Sequence, residues 1–488
     1  MLKKKNVIYI SIIVILFTFS SYLFISNRQM NIFLKTISFG IVTSLVVTIL
    51  GALLAYFSIK HIKNITLLLI ILFAYMIIPP YIHSFAWLNG FQIILNQNAI
   101  SGFFISVVVQ ICYFLPWATI LWIVYYKYIP STLFDETKLN SNKLFFTIYK
   151  MSKQIFIFIF MLIFMLSIND FTIPSIFAYN TYPVEIMSTY SSGVSFINTF
   201  LISLPIIIMV ICITYIIFSH FKNNEYNNIE QSKYNYYTKR NYIIYVFWIL
   251  YIAIPIILML IEASSINFKY VFEILKDNFL FSISSSIYAS IITIVLSYYL
   301  AFYVYRKRKF TKIIWIIILL LFSIPSTVNG IIVNKLYQII YEYLPWLDFT
   351  YFSSIQVVHV LINKSLPISF IIFYIGFIQL DEKVIDYYKL HSNNTNKILY
   401  VIFWYYMKTY LFINFIVVFI LSIGELGGTI MVIPPGKSTL TITIYNYLHY
   451  GSSDIVSALC MFMVLFVFVV VLCSLLLYNY FDRKNKTL

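Results

Sequence analysis

The stretch FLKTISFGIVTSLVVTILGALLA at 33–55 aligns without a gap on FLFSISSSIYASIITIVLSYYLA at 279–301, with nine identities in 23 positions. Each is long enough to cross a bilayer as a helix, which takes about 20 apolar residues. The offset of 246 also carries Pro79 in MIIPPYIHSF onto Pro325 in FSIPSTVNGI. Further on it becomes 251, where Leu115-Pro116 meets Leu366-Pro367 and DETKLNSN (135–142) meets DYYKLHSN (386–393). It then becomes 255, where SIND (167–170) meets SIGE (422–425). The offsets grow in one direction, as small insertions after a duplication make them. Shared hydrophobicity alone does not place D-x-x-K-L-x-S-N in two polar loops, nor hold prolines in register. A duplicated chain of membrane-spanning helices is therefore expected.

Composition agrees. Of 488 residues, 61% are hydrophobic and 10% charged, against about 25% charged in soluble domains. Apolar runs occur near 7–26, 36–58, 65–88, 102–126, 154–169 and 195–218, and again near 242–262, 279–305, 313–335, 352–378, 409–432 and 455–480. Lipid leaves backbone polar groups no partner except one another, so each run is expected to be a helix. The expected fold is an all-α polytopic membrane protein of about twelve transmembrane helices in two homologous six-helix halves. Its parts are a leading helix in 1–32, a first repeat in 33–218, a polar cytoplasmic linker in 219–241, the leading helix of the second half in 242–278, and a second repeat in 279–488. The opening MLKKK and the apolar run after it read as an uncleaved first span, because no small-residue cleavage pattern precedes Ser26.

With the N-terminus inside, 26 of the 33 Lys and Arg fall in cytoplasmic segments, as the positive-inside rule requires. Both termini are then cytoplasmic. The net charge of +16 is spread over short loops of a hydrophobic chain. It therefore signals topology and lipid headgroups rather than nucleic acid. Cys112, Cys212, Cys460 and Cys473 all lie in apolar runs without a CxxC pair, so neither a disulfide framework nor a zinc site is indicated.

MVIPPGKSTLT at 431–441 contains the Gly-Lys-Ser-Thr that closes a P-loop. The motif needs a glycine five residues before Gly436, where Met431 stands. Pro434 and Pro435 also remove amide donors that would cradle phosphate. The expected topology puts this loop outside the cell, so no ATP hydrolysis is expected on this chain.

The two repeated polar segments, 127–153 and 380–408, both fall on the cytoplasmic side. In each, a short helical stretch carrying Asp135 or Asp386 is broken by Ser141-Asn142 or Ser392-Asn393 before the next span. Such an element present twice is a docking surface for a two-fold partner. These segments resemble the EAA loops of binding-protein-dependent ABC importer permeases (type I, MetI-like). That pattern runs EAA, three residues, Gly, nine residues, an aliphatic, one residue, Leu-Pro. Asp135 and Asp386 fall at the acidic position, Ser141 and Ser392 at the glycine, and Met151 and Ile402 at the aliphatic. Gln154 and Tyr405 stand where proline is expected. GELGGTIMVIPPGKSTLTITIYNYLHYGSSDIVSAL (424–459) and INDFTIPSIFAYNTYPVEI (168–186) resemble the fused, two-half iron(III)-type permeases.

The resemblance implies a transport subunit in the bacterial cytoplasmic (inner) membrane. Its expected partners are cytoplasmic ATP-binding subunits, two in number, an extracytoplasmic substrate-binding protein and the lipid bilayer; no cofactor, resident metal or catalytic residue is expected. The ATPase-coupling residues would be Asp135, Lys138, Leu139 and Ser141 with Asp386, Lys389, Leu390 and Ser392. Asp170 and Glu425, where spans break into DFTIP and ELGGT, are costly at membrane depth. With Pro174 and Gly427 they are candidates for a pathway passing a cationic or metal-bearing substrate; the alternative is that each carboxylate caps a broken helix or sits in external water. Pro79, Pro116, Pro325 and Pro367 are expected to kink their spans. A secondary transporter driven by an ion gradient is the rival, with Asp170, Glu425, Glu262 and Lys364 as its ionisable candidates. Within the importer class, thiamine, phosphonate or polyamine stand beside iron(III) as substrates.

Overall fold

The computed structural model describes residues 26–76, 78–95, 101–127, 144–222, 242–264, 268–306, 310–380, 407–451 and 453–486. Its helices are α1 (Asn27–His61), α2 (Ile65–Met76), α3 (Pro80–Leu95), α4 (Phe103–Lys127), α5 (Leu144–Asn169), α6 (Thr172–Ile176), α7 (Tyr182–Ser191) and α8 (Phe196–Lys222). After them come α9 (Tyr242–Ala263), α10 (Phe268–Tyr305), α11 (Thr311–Ser323), α12 (Ser326–Tyr343), α13 (Ile355–Ile378), α14 (Lys408–Ile423), α15 (Leu440–Tyr450) and α16 (Ser453–Lys486). The chain is an all-α polytopic membrane protein, with no strand among the described residues. It divides into two compact units, Met1–Ser265 and Ile266–Leu488.

Among the described residues eight helices are long and apolar enough to cross a membrane, or nine if α11 and α12 make one bent span. The other expected runs end differently for local reasons. Residues 7–25 of the first run lie outside the described residues. The run at 65–88 is two helices, α2 and α3, broken just before Pro80. The run at 313–335 is α11 and α12, bent by 109° with Pro325 as the cap between them. In both copies proline ends a helix rather than bending it, because it lacks the amide that would continue the ladder. Pro116 and Pro367 differ, lying inside continuous helices α4 and α13. The run at 409–432 is α-helical only to Ile423, where Gly424 caps it, and keeps a single 3-10 turn at Thr429–Met431. α1 starts nine residues earlier than the apolar run because Ser26 and Gln29 form a capping box.

In the first unit α1 packs on α4 and α5. Without water there is no hydrophobic drive between spans, so close approach and polar pairs hold them. A Cβ at Gly51 would lie 2.7 Å from the Ala118 Cβ, and one at Gly40 2.5 Å from Ile168 Cγ2. Thr43 and Ser167 share a hydroxyl bond of 2.8 Å, and Trp122 Nε1 donates to the Thr48 carbonyl at 3.1 Å. α9 packs on α3 and, less extensively, on α1. Trp248 Nε1 donates to Ser58 Oγ at 2.9 Å, the Tyr251 hydroxyl donates to the Cys112 carbonyl, and the Tyr251 ring lies tilted against Tyr75, 5.4 Å between centres.

In the second unit α10 packs on α13 and α14. Ser297 pairs with Ser369 and Thr293 with Ser365, and Asn414 Nδ2 donates to the Ser369 carbonyl at 3.0 Å. Tyr298, Phe302, Phe370, Phe373 and Phe377 fill the space between. On the outer faces of α9 and α10, Ile243, Ile249, Ile291 and Val295 are exposed, as side chains meeting lipid tails must be.

Candidate functional site

Each unit contains a place where an apolar helix stops and the chain continues through a short irregular stretch, and in each this turn is organised around a carboxylate. In the first unit α5 ends at Asn169. Asp170 Oδ1 accepts from the Thr172 backbone N–H at 3.0 Å and from the Thr172 hydroxyl at 2.6 Å. Gln110 Nε2 reaches Asp170 Oδ2 at 3.4 Å and the Ser167 carbonyl at 3.3 Å. Asp170 thus satisfies the opening amide of the five-residue helix α6, a job its short side chain does well. Pro174 is buried inside α6, and its carbonyl accepts from the Tyr179 amide at 2.9 Å. The chain leaves α6 through Ala178, at φ 49°, in the left-handed region that non-glycine residues rarely enter. It re-enters helix at α7, where the Tyr182 amide donates to Thr36 Oγ1 of α1 at 2.8 Å.

The second unit repeats the plan with different chemistry. Glu425 is buried and stands just after α14. Its Oε1 accepts from the Gly428 amide at 3.0 Å and from the Ser326 hydroxyl at the start of α12. Its Oε2 holds the Lys364 ammonium from α13. Asn329 Nδ2 donates to the Val360 carbonyl at 3.2 Å, and Asn363 Nδ2 to Asn329 Oδ1 at 3.0 Å. One carboxylate therefore ties three elements together. Such convergence offsets the cost of burying a charge.

Glycine makes the close approach possible. A Cβ at Gly428 would lie 2.4 Å from Val360 Cγ1 and 2.9 Å from the Ser326 carbonyl oxygen; one at Gly330 would lie 2.5 Å from the Gly428 carbonyl oxygen. Gly427 is buried next to it. The turn closes on α10, where the Leu440 amide donates to Ser282 Oγ at 2.6 Å. Ser282 and Thr36 are the residues that the 246 offset pairs.

Gly-Lys-Ser-Thr at 436–439 forms the exit of this turn. The Lys437 amide donates to the Pro434 carbonyl at 3.2 Å, and Gly436 has φ 75°. Proline then glycine inside such a bond is the pattern of a type II turn. Lys437 lies 5.3 Å from the Phe281 ring centre, and Thr439 caps α15 by accepting from the Ile442 amide at 3.3 Å. The segment expected as an outer loop is in part this helix.

Asp170 and Pro174 come together in the first unit, and Glu425 and Gly427 in the second. Asp135, Lys138, Leu139, Ser141, Asp386, Lys389, Leu390 and Ser392 lie outside the described residues. Gln154, where the EAA pattern has proline, sits within the continuous helix α5. Sequence reading missed Ser326, Thr172, Gln110 and Gly428 as partners of the carboxylates. Ser326 carried a signal, since it follows the proline at which the repeat breaks; Gln110 carried none. Among the described residues no three His, Cys, Asp or Glu are grouped to hold a metal ion.

Residues 293–487, less than half of the chain, match the family described as binding-protein-dependent transport system inner membrane component. The matched region runs from within α10 to just past the end of α16 and includes the whole Glu425 turn. This similarity supports a permease component of an ABC importer, a transport subunit in the inner membrane. Permeases of that family work with ATP-binding subunits and substrate-binding proteins. No curated protein matches the chain.

Proposed function

We propose that the chain is the membrane-spanning permease of a bacterial ABC importer of the iron(III) type, with both halves fused in one polypeptide. The observation that carries the permease part of this reading is the family match over 293–487; the iron(III) type and the fusion of two halves rest on the resemblance and the repeat in the sequence. In it, an external binding protein delivers substrate at the outer face, and both termini are cytoplasmic. Two ATPase subunits dock on the 127–153 and 380–408 loops through Asp135, Lys138, Leu139 and Ser141 and through Asp386, Lys389, Leu390 and Ser392. ATP-driven closure then rocks the two halves between outward-open and inward-open states. The pathway passes the two turns that hold Asp170 and Pro174, and Glu425 and Gly427.

The test is ATP-dependent uptake in proteoliposomes, with the chain copurified with its ATPase, in wild type and in Asp135→Arg plus Asp386→Arg. The expected result is loss of both ATPase association and uptake in the double variant, while expression is unchanged. An ion pair at membrane depth, half-exposed Lys364 with buried Glu425, favours a second reading as a gradient-driven transporter. Uptake that persists without ATP and follows an imposed ion gradient would establish that reading instead.

A further inference from the structure

At the second-unit turn the charge open to a passing solute is the cation, not the carboxylate. The Glu425 side chain is 1% exposed, and both its oxygens are occupied: Oε1 by the Ser326 hydroxyl and the Gly428 amide, Oε2 by Lys364. A cation could reach it only by dismantling those bonds. The Lys364 side chain is 46% exposed, and Glu425 needs only one of the three N–H donors that an ammonium carries. Lys364 is the tenth residue of the 24-residue α13. This is too far from either end for its stem to carry the charge easily to the headgroups, as lysines near helix ends do. An ammonium held at that depth with half its surface uncovered faces a water-filled cavity or pays heavily for facing lipid.

We propose that Lys364 is a binding point for an anionic oxygen group, carboxylate or phosphoryl, on the permeating solute. Glu425 holds the ammonium in place and lowers its net charge, so that an anion is attracted without being trapped. Tyr113 stands at the repeat-related position in the first half, so the cationic point belongs to one half only. This deepens the importer reading and rests on it for the location of the pathway. Under the iron(III) assignment the ion would pass Lys364 as a complex with anionic oxygen ligands, not as a bare cation.

The test uses the full chain in liposomes with its four cysteines replaced and Asn363→Cys introduced beside Lys364. The rate at which the introduced thiol reacts is measured with two methanethiosulfonates of similar size, the anionic ethylsulfonate and the cationic trimethylammonium-ethyl reagent. Each rate is divided by that of a small free thiol. We expect the anionic reagent to be favoured by about tenfold. The preference should vanish in Lys364→Gln plus Glu425→Gln, which leaves no unpaired buried charge, and survive in Lys364→Arg. Equal rates, a preference for the cationic reagent, no reaction with either, or a preference that survives the neutral pair would overturn the proposal. The labelling needs no ATPase, so its failure would leave the ATP-driven uptake reading standing.

Discussion

Lys364 and Glu425 do not stand to lose equally when their bond is cut. Removing Lys364 strands a carboxylate that is 1% exposed, and a buried charge left without its partner costs about 3–5 kcal/mol. Removing the charge of Glu425 strands an ammonium that is 46% exposed and can turn to water, which puts the loss nearer the ~1 kcal/mol of a surface pair. Lys364→Met should therefore lower the thermal midpoint in detergent clearly more than Glu425→Gln. Equal losses would show that the ammonium is as enclosed as the carboxylate. Asp170 has no such asymmetry, because its bonds at 3.0 and 2.6 Å come from its own neighbour Thr172. Both acids were legible in the repeat as SIND and SIGE. Their different partners were not, since Ser326 and Lys364 lie 99 and 61 residues from Glu425 in the chain.

At the scale of elements, the decisive contact is backbone on backbone. α12 starts where α11 ends at a 109° bend, and its first turns meet the Gly428 backbone. A methyl at Gly428 has Val360 Cγ1 at 2.4 Å and a carbonyl oxygen at 2.9 Å, and the second of these cannot rotate away. Gly428→Ala should cost about 1–3 kcal/mol by overpacking and release the hydroxyl bond from Ser326, readable as a lower unfolding midpoint. Gly436→Ala meets no neighbour within 4 Å, but its φ of 75° should cost about 1–2 kcal/mol. If Gly428→Ala proves harmless, the turn is not packed against α12 as described. The proline positions announced a disturbance in both copies. That the chain bends by 109° at Pro325 while Pro367 stays inside a continuous helix depends on what packs around each.

At the scale of the molecule, the boundary between the compact units falls at Ser265, after α9 rather than before it. Sequence reading set 242–278 at the head of the second half, since it follows the polar linker. In the folded chain Trp248 and Tyr251 bond to α1 and α4, and an ideal Cβ at Gly90 lies 3.8 Å from Leu258 Cγ. This yields a test on the whole chain. With Gly90→Cys and Leu258→Cys introduced in a background free of other cysteines, and a protease site placed in the 219–241 linker, mild oxidation should form a disulfide. After cutting, the two pieces should run as one band without reductant and as two with it. Two bands in both lanes would mean that α9 does not pack on α3.

The amino-acid sequence by itself determined the solvent and the secondary structure. A chain this apolar, with its cations gathered between apolar runs, can satisfy its backbone in lipid only as helices. The repeat determined where the spans would break and which carboxylates would sit at the breaks. Only the tertiary structure decided what those carboxylates hold. Hydrogen bonding is a matter of a few tenths of an ångström between residues far apart in the chain, whereas hydrophobic runs are local and need no partner to be read. For the same reason Gly-Lys-Ser-Thr, which in isolation spells a phosphate site, becomes here a turn and a helix cap: Pro434, Pro435 and Gly436 shape the backbone, and Ser282 of α10 receives the amide of Leu440 that follows.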